Sequence, residues 1–225
     1  MEIVPGFHWI NGGSVNYYLI AEEEQLTLID TGMPGQLDNL LRHLSRIGRR
    51  AGEISRILVT HADIDHVGSL QAMQAETGAK VLASAQSAAL IQRGKSPQHL
   101  PRLMQWVADR MGYKPVAAQH IQVIEAEDTL PIWGGLQVIA TPGHTLDHLS
   151  FYCPKQGVVI AGDILNTRKD TLNLTPKRIT ADMDLARQSA RQLLALTPAV
   201  LACGHGTPLH GHKDDVLMRL HRQLG

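Results

Sequence analysis

The amino-acid sequence predicts an α+β chain of two stacked β-sheets with helices on their outer faces. Three observations lead there. Strand-like segments and segments of helical period alternate in two comparable halves, each a run of strands with helices that must cover one face of a sheet. The 225 residues match one large domain, at roughly 150 residues per domain, and supply a buried core without disulfide staples. No short repeat or low-complexity tract divides the chain, so a single domain over 1–225 is expected.

The elements follow in order. Short apolar runs broken by turn chemistry fill the first thirty residues: Ile3 to Ile10, Asn11-Gly12-Gly13, Val15 to Ile20, the acidic Glu22 to Glu24, then Leu26 to Ile29. This is a strand meander. Leu37, Leu40, Leu41, Leu44 and Ile47 then recur at three and four residues, which places them on one helical face. Ile54 to Thr60 reads as a strand ending in a loop, Ser69 to Glu76 as a helix closed by Gly78, and Lys80 to Ala83 as the next strand. Over 92–118 the pattern loosens into an insertion, with Gly94, Pro97, Pro101 and Pro115 enclosing a helical stretch whose Leu103, Met104, Val107 and Met111 share a face. Strands resume at Ile121 to Ile124, Leu136 to Ala140, Leu149 to Cys153 and Val158 to Ala161. A second break, Asn166 to Thr180, precedes a helix from the N-cap residue Asp182 to Leu196. The strand Ala199 to Cys203, a glycine-flanked turn and a terminal helix carrying Val216, Leu217, Leu220 and Leu224 complete the pattern.

Composition narrows the function classes. Lys plus Arg (21) balances Asp plus Glu (21), so the net field gives no reason to expect nucleic acid or an acidic membrane as partner. The two cysteines, Cys153 and Cys203, form no C-x-x-C pair, which leaves a zinc ribbon or thioredoxin-type site without support. There is no run of about 18 apolar residues, and MEIVPGFHWI lacks the layout of a signal peptide, so a cytoplasmic location is expected. Twelve histidines outnumber the eleven prolines, and histidine is the commonest protein metal ligand.

Ligand-type side chains gather at the C-terminal ends of predicted strands four times. After ISRILVT comes His61-Ala62-Asp63-Ile64-Asp65-His66; after LQVIA comes Thr141-Pro142-Gly143-His144-Thr145; after VVIA comes Gly162-Asp163; after AVLAC comes Gly204-His205-Gly206. Strand ends hold ligands rigidly while the loops stay free to shape a pocket. A solvated loop would not explain four such ionisable residues in six positions recurring in kind after three more strands.

With these motifs in order, together with Leu28-Ile29-Asp30-Thr31-Gly32, the sequence resembles the metallo-β-lactamase-fold hydrolase superfamily over nearly its whole length. The resemblance implies an αββα sandwich with a dinuclear metal centre at one edge of the two sheets. It assigns one metal to His61, Asp63 and His144 and the other to Asp65, His66 and His205, with Asp163 bridging. A hydroxide held between the metals is then the nucleophile, and no serine or cysteine nucleophile is required. Asp65 is in addition a candidate to receive or pass on a proton as the tetrahedral intermediate collapses. Asp30 is either a brace for the ligand loop or a plain turn residue before Gly32. Thr145 and His148 are further residues around the ligands; His148 either braces the loop or meets solvent.

The sequence departs from the family at Asp63, where the commoner pattern has histidine. Asp63, Asp65 and Asp163 offset three of the four positive charges of two divalent ions, and a bridging hydroxide brings the count near zero. Histidine at 63 would leave one more positive charge. A less positive centre lowers the pKa of bound water by less and suits an easier substrate or a higher working pH. Zinc is the first expectation; the added oxygen ligand brings manganese or iron into consideration.

The insertion is expected to form a lid, with Met104, Trp106, Met111 and Tyr113 lining a substrate pocket. Arg168, Lys169, Lys177 and Arg178 in the second break either attract an anionic substrate group or form a solvated loop. His210 and His212 suit a solvated turn; His8, His43, His99, His120 and His221 have no ligand spacing and read as structural or surface residues; Cys203 reads as a buried, inert thiol.

The resulting expectation is a hydrolase of a small thioester, lactone or carboxylic ester, with a small molecule as its partner and the oligomeric state open. The alternatives are a phosphodiesterase, or a diiron oxidoreductase related to the flavodiiron proteins, which are similar in fold and carry a carboxylate at the place of Asp63; this chain has no room for their flavin domain. A glutathione thioester is disfavoured, because the chain runs only about twenty residues past His205, where the glyoxalase II enzymes usually continue into a helical extension.

Overall fold

A computed structural model of the chain describes residues 1–168, 171–211 and 220, and these form two compact units. One comprises Met1–Pro97 and Trp106–Ile124; the other comprises Gln98–Gln105 and the described residues from Glu125 onward. The terminal helix expected from Val216 to Leu224 lies outside the described residues apart from Leu220, as do Lys169 and His212.

In the first unit, β1 (Glu2–Val4), β2 (Phe7–Asn11), β3 (Asn16–Ala21), β4 (Leu26–Ile29), β5 (Ile54–Leu58), β6 (Lys80–Ala83) and β7 (Ile121–Val123) form a seven-stranded sheet in sequence order. The sheet is mixed. Pairing is antiparallel from β1 to β4 and parallel from β4 to β7, because α1 (Leu37–Arg46) separates β4 from β5 and α3 (Leu70–Thr77) separates β5 from β6. Leu40 and Leu44 of α1 are buried in one cluster with Tyr17, Leu19, Leu28, Ile57, Val59, Leu70 and Val81. Each leucine so buried contributes about 1.5–3 kcal/mol, and the spacing of α1's leucines is what brings them to that one face.

In the second unit, β8 (Thr129–Leu130), β9 (Leu136–Ala140), β10 (Leu149–Cys153), β11 (Val158–Gly162), β14 (Val200–Cys203) and β15 (Leu209–His210) form a six-stranded sheet in the order β15-β14-β11-β10-β9-β8. β11 and β14 are parallel, and the chain between them carries the ribbon of β12 (Leu165–Asn166) and β13 (Asn173–Leu174) and then α6 (Met183–Ala195). The N-cap Asp182 accepts the N–H groups of Asp184 and Leu185 at 2.9 and 3.0 Å, as its residue type predicts. Ala190, Leu193 and Leu194 of α6 share a buried cluster with Val159, Ala161 and Leu201. Both sheets are mixed and both carry helices, so the α+β class read from the sequence is the observed one.

Several elements escaped the sequence pattern. The strands β8, β12, β13 and β15 have two residues each, too few to show a period. α4 (Ala85–Ile91) is rich in Ala and Ser, which give little polar contrast; its start is set by Ser84, whose hydroxyl accepts the Ser87 N–H at 3.1 Å. The short α2 (Ile64–Val67) is enclosed in the first ligand motif.

The insertion helix α5 (Arg102–Met111) corrects one expectation. The arc of Leu103, Met104, Val107 and Met111, expected to pack as the inner face of a lid, is exposed, at 75%, 45%, 42% and 59% respectively, with Trp106 at 61%. Gln105 and Ala108 are the buried positions instead. The reason is local: Gln105 Oε1 accepts the N–H groups of His99 and Leu100 at 3.2 and 3.1 Å, which turns the polar side of the helix inward. No helix among the described residues is long and apolar enough to cross a membrane.

His8 and His43 pack edge to face with ring centroids 5.3 Å apart, both buried. Burial, then the positive charges of the Met1 amine, His8 and Arg46, push His43 down to about 4. The unfolded chain takes up this proton near pH 6.5 and the folded chain only near 4, so stability is complete above 6.5 and falls as pH drops between those values. His43→Phe is expected to remove up to about 3 kcal/mol of that acid loss. Urea midpoints measured from pH 7 to 4 check this; an unchanged pH slope contradicts it.

Candidate metal centre

In the first unit, the segment after β5 is fastened to the end of β4 by one carboxylate. Asp30 Oδ1 accepts the Thr60 N–H at 2.9 Å, and Oδ2 lies 2.7 Å from Thr60 Oγ1 and 2.8 Å from His66 Nδ1. Asp30 is buried and sits in the left-handed region at φ 58°, a conformation costing about 1–3 kcal/mol. The bonds to an ionised acceptor offset that cost. The backbone tightens the same junction: the N–H and hydroxyl of Thr31 both donate to the His66 carbonyl, at 2.7 and 2.9 Å.

These bonds fix where the histidine protons lie. The single hydrogen of the Thr60 hydroxyl goes to Asp30, so His61 Nδ1, 3.0 Å from the same oxygen, must be the donor to it. His66 Nδ1 donates to Asp30. Both rings therefore present a lone pair at Nε2. His61 Nε2 lies 3.5 Å from Asp63 Oδ2, and the two rings are 4.1 Å apart. Asp63 stands just before α2, where an aspartate ordinarily caps a first-turn N–H, yet its carboxylate makes no cap bond and stands against His61. Asp65, half-buried, has a carboxylate oxygen within 4.8 Å of a His66 ring nitrogen.

The second unit follows the same logic. Thr180 Oγ1 donates to the Pro176 carbonyl at 2.8 Å, so in its contact with Thr175 it is Thr175 that donates, and the Thr175 oxygen is left to accept from His144 Nδ1 at 3.1 Å. His144 Nε2 then faces Asp163 Oδ2 at 3.7 Å, and His205 Nε2 lies 3.1 Å from the same oxygen. His148 is sorted differently. Ser150 donates to the Ala161 carbonyl, Thr141 to Ser150 and His148 Nδ1 to Thr141, while His148 Nε2 accepts the backbone N–H of Asp163 at 3.0 Å. His148 thus braces the ligand loop from a buried position, with both ring nitrogens used within the protein. That leaves it no role as a metal ligand.

Two glycines let these loops lie close to their neighbours. Gly143, at φ 145°, has no room for a side chain: a Cβ would stand 2.3 Å from the Ala186 nitrogen in the first turn of α6. At Gly206, φ 89°, a Cβ would meet the Thr167 carbonyl carbon at 2.3 Å.

The donor chemistry in each unit fits divalent metal: His61, His66 and His144 are buried imidazoles of fixed tautomer with a hydroxyl or carboxylate partner behind each, and a carboxylate stands near each of His61, His66, His144 and His205. The first unit supplies His61, Asp63, Asp65 and His66, the second His144, Asp163 and His205. Thr145 is buried beside His144. Burial and the Asp163 charge push the Cys203 thiol up, which keeps it protonated and inert. Of the expected pocket residues, Met111 and Tyr113 line one cavity of the first unit with Pro34, Ile64 and Ser69, the Tyr113 hydroxyl donating to the Lys95 carbonyl at 2.7 Å, while Met104, Trp106 and Arg168 are exposed. Sequence spacing missed His99, whose ring packs edge-on against His144 with centroids 5.0 Å apart; it comes from the unpatterned insertion and carried no sequence signal.

The sequence matches the family profile described as the metallo-beta-lactamase superfamily over residues 10–205. It is 32% identical over 206 residues to the Bacillus subtilis (strain 168) protein YobT, covering 85% of this chain and 83% of that one. It is 25% identical to the probable metallo-hydrolase YflN of the same strain, covering 93% and 87%. A hydroxyacylglutathione hydrolase of Rhodobacter capsulatus is 33% identical over 116 residues, and the matched part is 52% of this chain and 36% of that protein. Among solved structures, a B3 metallo-beta-lactamase with an active-site glutamic acid superposes with a TM-score of 0.73 at 22% identity, covering 97% of this chain and 85% of that one.

His148→Leu is expected to leave the Asp163 N–H and the Thr141–Ser150 hydroxyls without their buried partner, costing roughly 1–3 kcal/mol. It is also expected to weaken metal binding about 10–100-fold, the usual effect of removing an outer partner of a ligand. Thermal unfolding and a chelator competition on the same variant check both; wild-type metal affinity would show that Asp163 needs no such support.

Proposed function

The chain belongs to the metallo-β-lactamase superfamily, and from that premise we propose a metal-dependent hydrolase that holds two divalent ions and cleaves a small ester-like substrate, a thioester, lactone or carboxylic ester. The observation that carries this reading is the common proton arrangement of His61, His66 and His144. Each gives its Nδ1 hydrogen to an oxygen of its own unit and so keeps Nε2 as a neutral donor. Structural histidines have no need of one shared orientation; metal ligands do.

By the family resemblance His61, Asp63 and His144 would hold one ion and Asp65, His66 and His205 the other, with Asp163 available to both. A bound ion supplies Lewis acidity toward the substrate carbonyl and makes water acidic enough to attack near neutral pH. The protein's own groups do the rest. Asp30 and Thr175 hold the imidazoles in register, so little reorganisation accompanies the reaction. Asp65, half-buried and next to His66, receives the proton released on attack and passes it to the leaving group.

Three carboxylates in the donor set keep its charge low. Zinc accepts such a set, and manganese or iron suits its oxygen content. The ester-like class is supported by the hydroxyacylglutathione hydrolases among the relatives, which act on thioesters by name. The matched part covers only about a third to a half of their length, and it is the thioester bond alone that the proposal takes from them.

Metal analysis of the purified protein, then assays of thioester, lactone, carboxylic ester and phosphodiester substrates after loading with zinc, manganese or iron, test the proposal. Two ions per chain and hydrolysis of an ester-type substrate, lost on chelation and recovered on reloading, are expected. A protein without metal that none of the three activates would overturn it. Asp65→Asn is expected to retain both ions and lower kcat by about 10²–10⁴-fold; full turnover would remove Asp65 from proton transfer.

A further inference from the structure

We infer that His99 is an additional protein ligand for the ion held by His144, supplied by the insertion and exchangeable for substrate. The inference rests on the metal-centre reading above. Its own observations are the placement of His99 and the way its backbone is held.

A ring nitrogen of His99 lies within 4.8 Å of one of His144, and the rings stand at 71° to one another with centroids 5.0 Å apart. Two imidazoles bound to one ion at about 2.0–2.1 Å place their centroids about 4.5–5 Å apart for angles from a right angle to the tetrahedral value. His144 has its Nδ1 hydrogen committed to Thr175, so its Nε2 fixes where an ion could sit.

The backbone on either side is restrained well beyond what a surface histidine requires. Pro97 and Pro101 bracket the turn, and Gln105, buried in α5, accepts both the His99 and the Leu100 N–H through a single oxygen. This double acceptance explains why α5 turns a glutamine inward while its apolar residues face solvent. The glutamine acts on the metal site only through His99 and is therefore a positioning residue.

Exchange follows from coordination number. A catalytic ion needs a position open to substrate, and within the same unit as His99 both His144 and Asp163 follow the ends of strands, β9 and β11. His99 is half-buried and lies outside any strand or helix, and so is the donor that can leave. It would also return to the site an imidazole in place of the one that Asp63 removes from the ligand loop.

The test uses the full chain, stripped of metal and titrated with cobalt(II). Affinity is read by competition with a chelator, and coordination by the visible absorption of the bound ion. His99→Ala and His99→Gln are expected to bind one cobalt at least 10-fold more weakly and with an altered visible spectrum. Gln105→Ala is expected to give a smaller shift of the same kind, with circular dichroism unchanged in all three. Wild-type affinity and spectrum in both His99 variants would overturn the inference while leaving the metal centre standing. Failure of the wild-type chain to bind cobalt at all would overturn both.

Discussion

A threonine hydroxyl has one hydrogen to give, and here that hydrogen is directed away from the histidines. Thr60 gives its hydrogen to Asp30 and Thr175 gives its own to Thr180, which obliges His61 and His144 to donate through Nδ1. Asp30 imposes the same choice on His66 directly. The whole site depends on this restriction. Reversing one hydroxyl would move the ring hydrogen to Nε2 and remove the lone pair there.

The scaffold supplies these partners by bringing strand ends together. β4 and β5 are parallel neighbours in one unit, β11 and β14 in the other. Parallel pairing places the ends of both strands at the same edge, so the residue following each strand can reach across to its neighbour. Asp30 follows β4 and meets the segment after β5; Asp163 follows β11 and meets His205 after β14. Long crossovers through α1 and α6 are what make these pairs parallel, and the leucine spacing of those helices is thus connected to the chemistry at the strand ends.

Much of this was legible in the sequence because it is periodic or dense. The leucines of α1, the N-cap Asp182 and the strands β6, β9 and β10 appear where their patterns place them, and the ligand motifs stand out as polar residues after apolar runs. The tautomers were not legible. They depend on hydroxyls such as Thr175, which lies 31 residues from His144, and no local pattern links the two. His148 shows the same limit: its spacing from His144 could suggest a ligand pair, and only the Asp163 N–H at its Nε2 separates brace from ligand. For α5 the helical period was correct and the direction of its apolar side was not, since a helix wheel records which residues share a face and says nothing of where that face points.

The close approach at Gly143 and Gly206 bears on how such a protein can diversify. No side chain fits at either position without moving α6 or the Thr167 backbone, so the loops carrying His144 and His205 cannot be re-aimed by small substitutions near the ligands. Variation has to accumulate where chain can be added or exchanged without disturbing a strand end, as in the segment around α5. A change of specificity that keeps these strand ends intact has to come from what surrounds them.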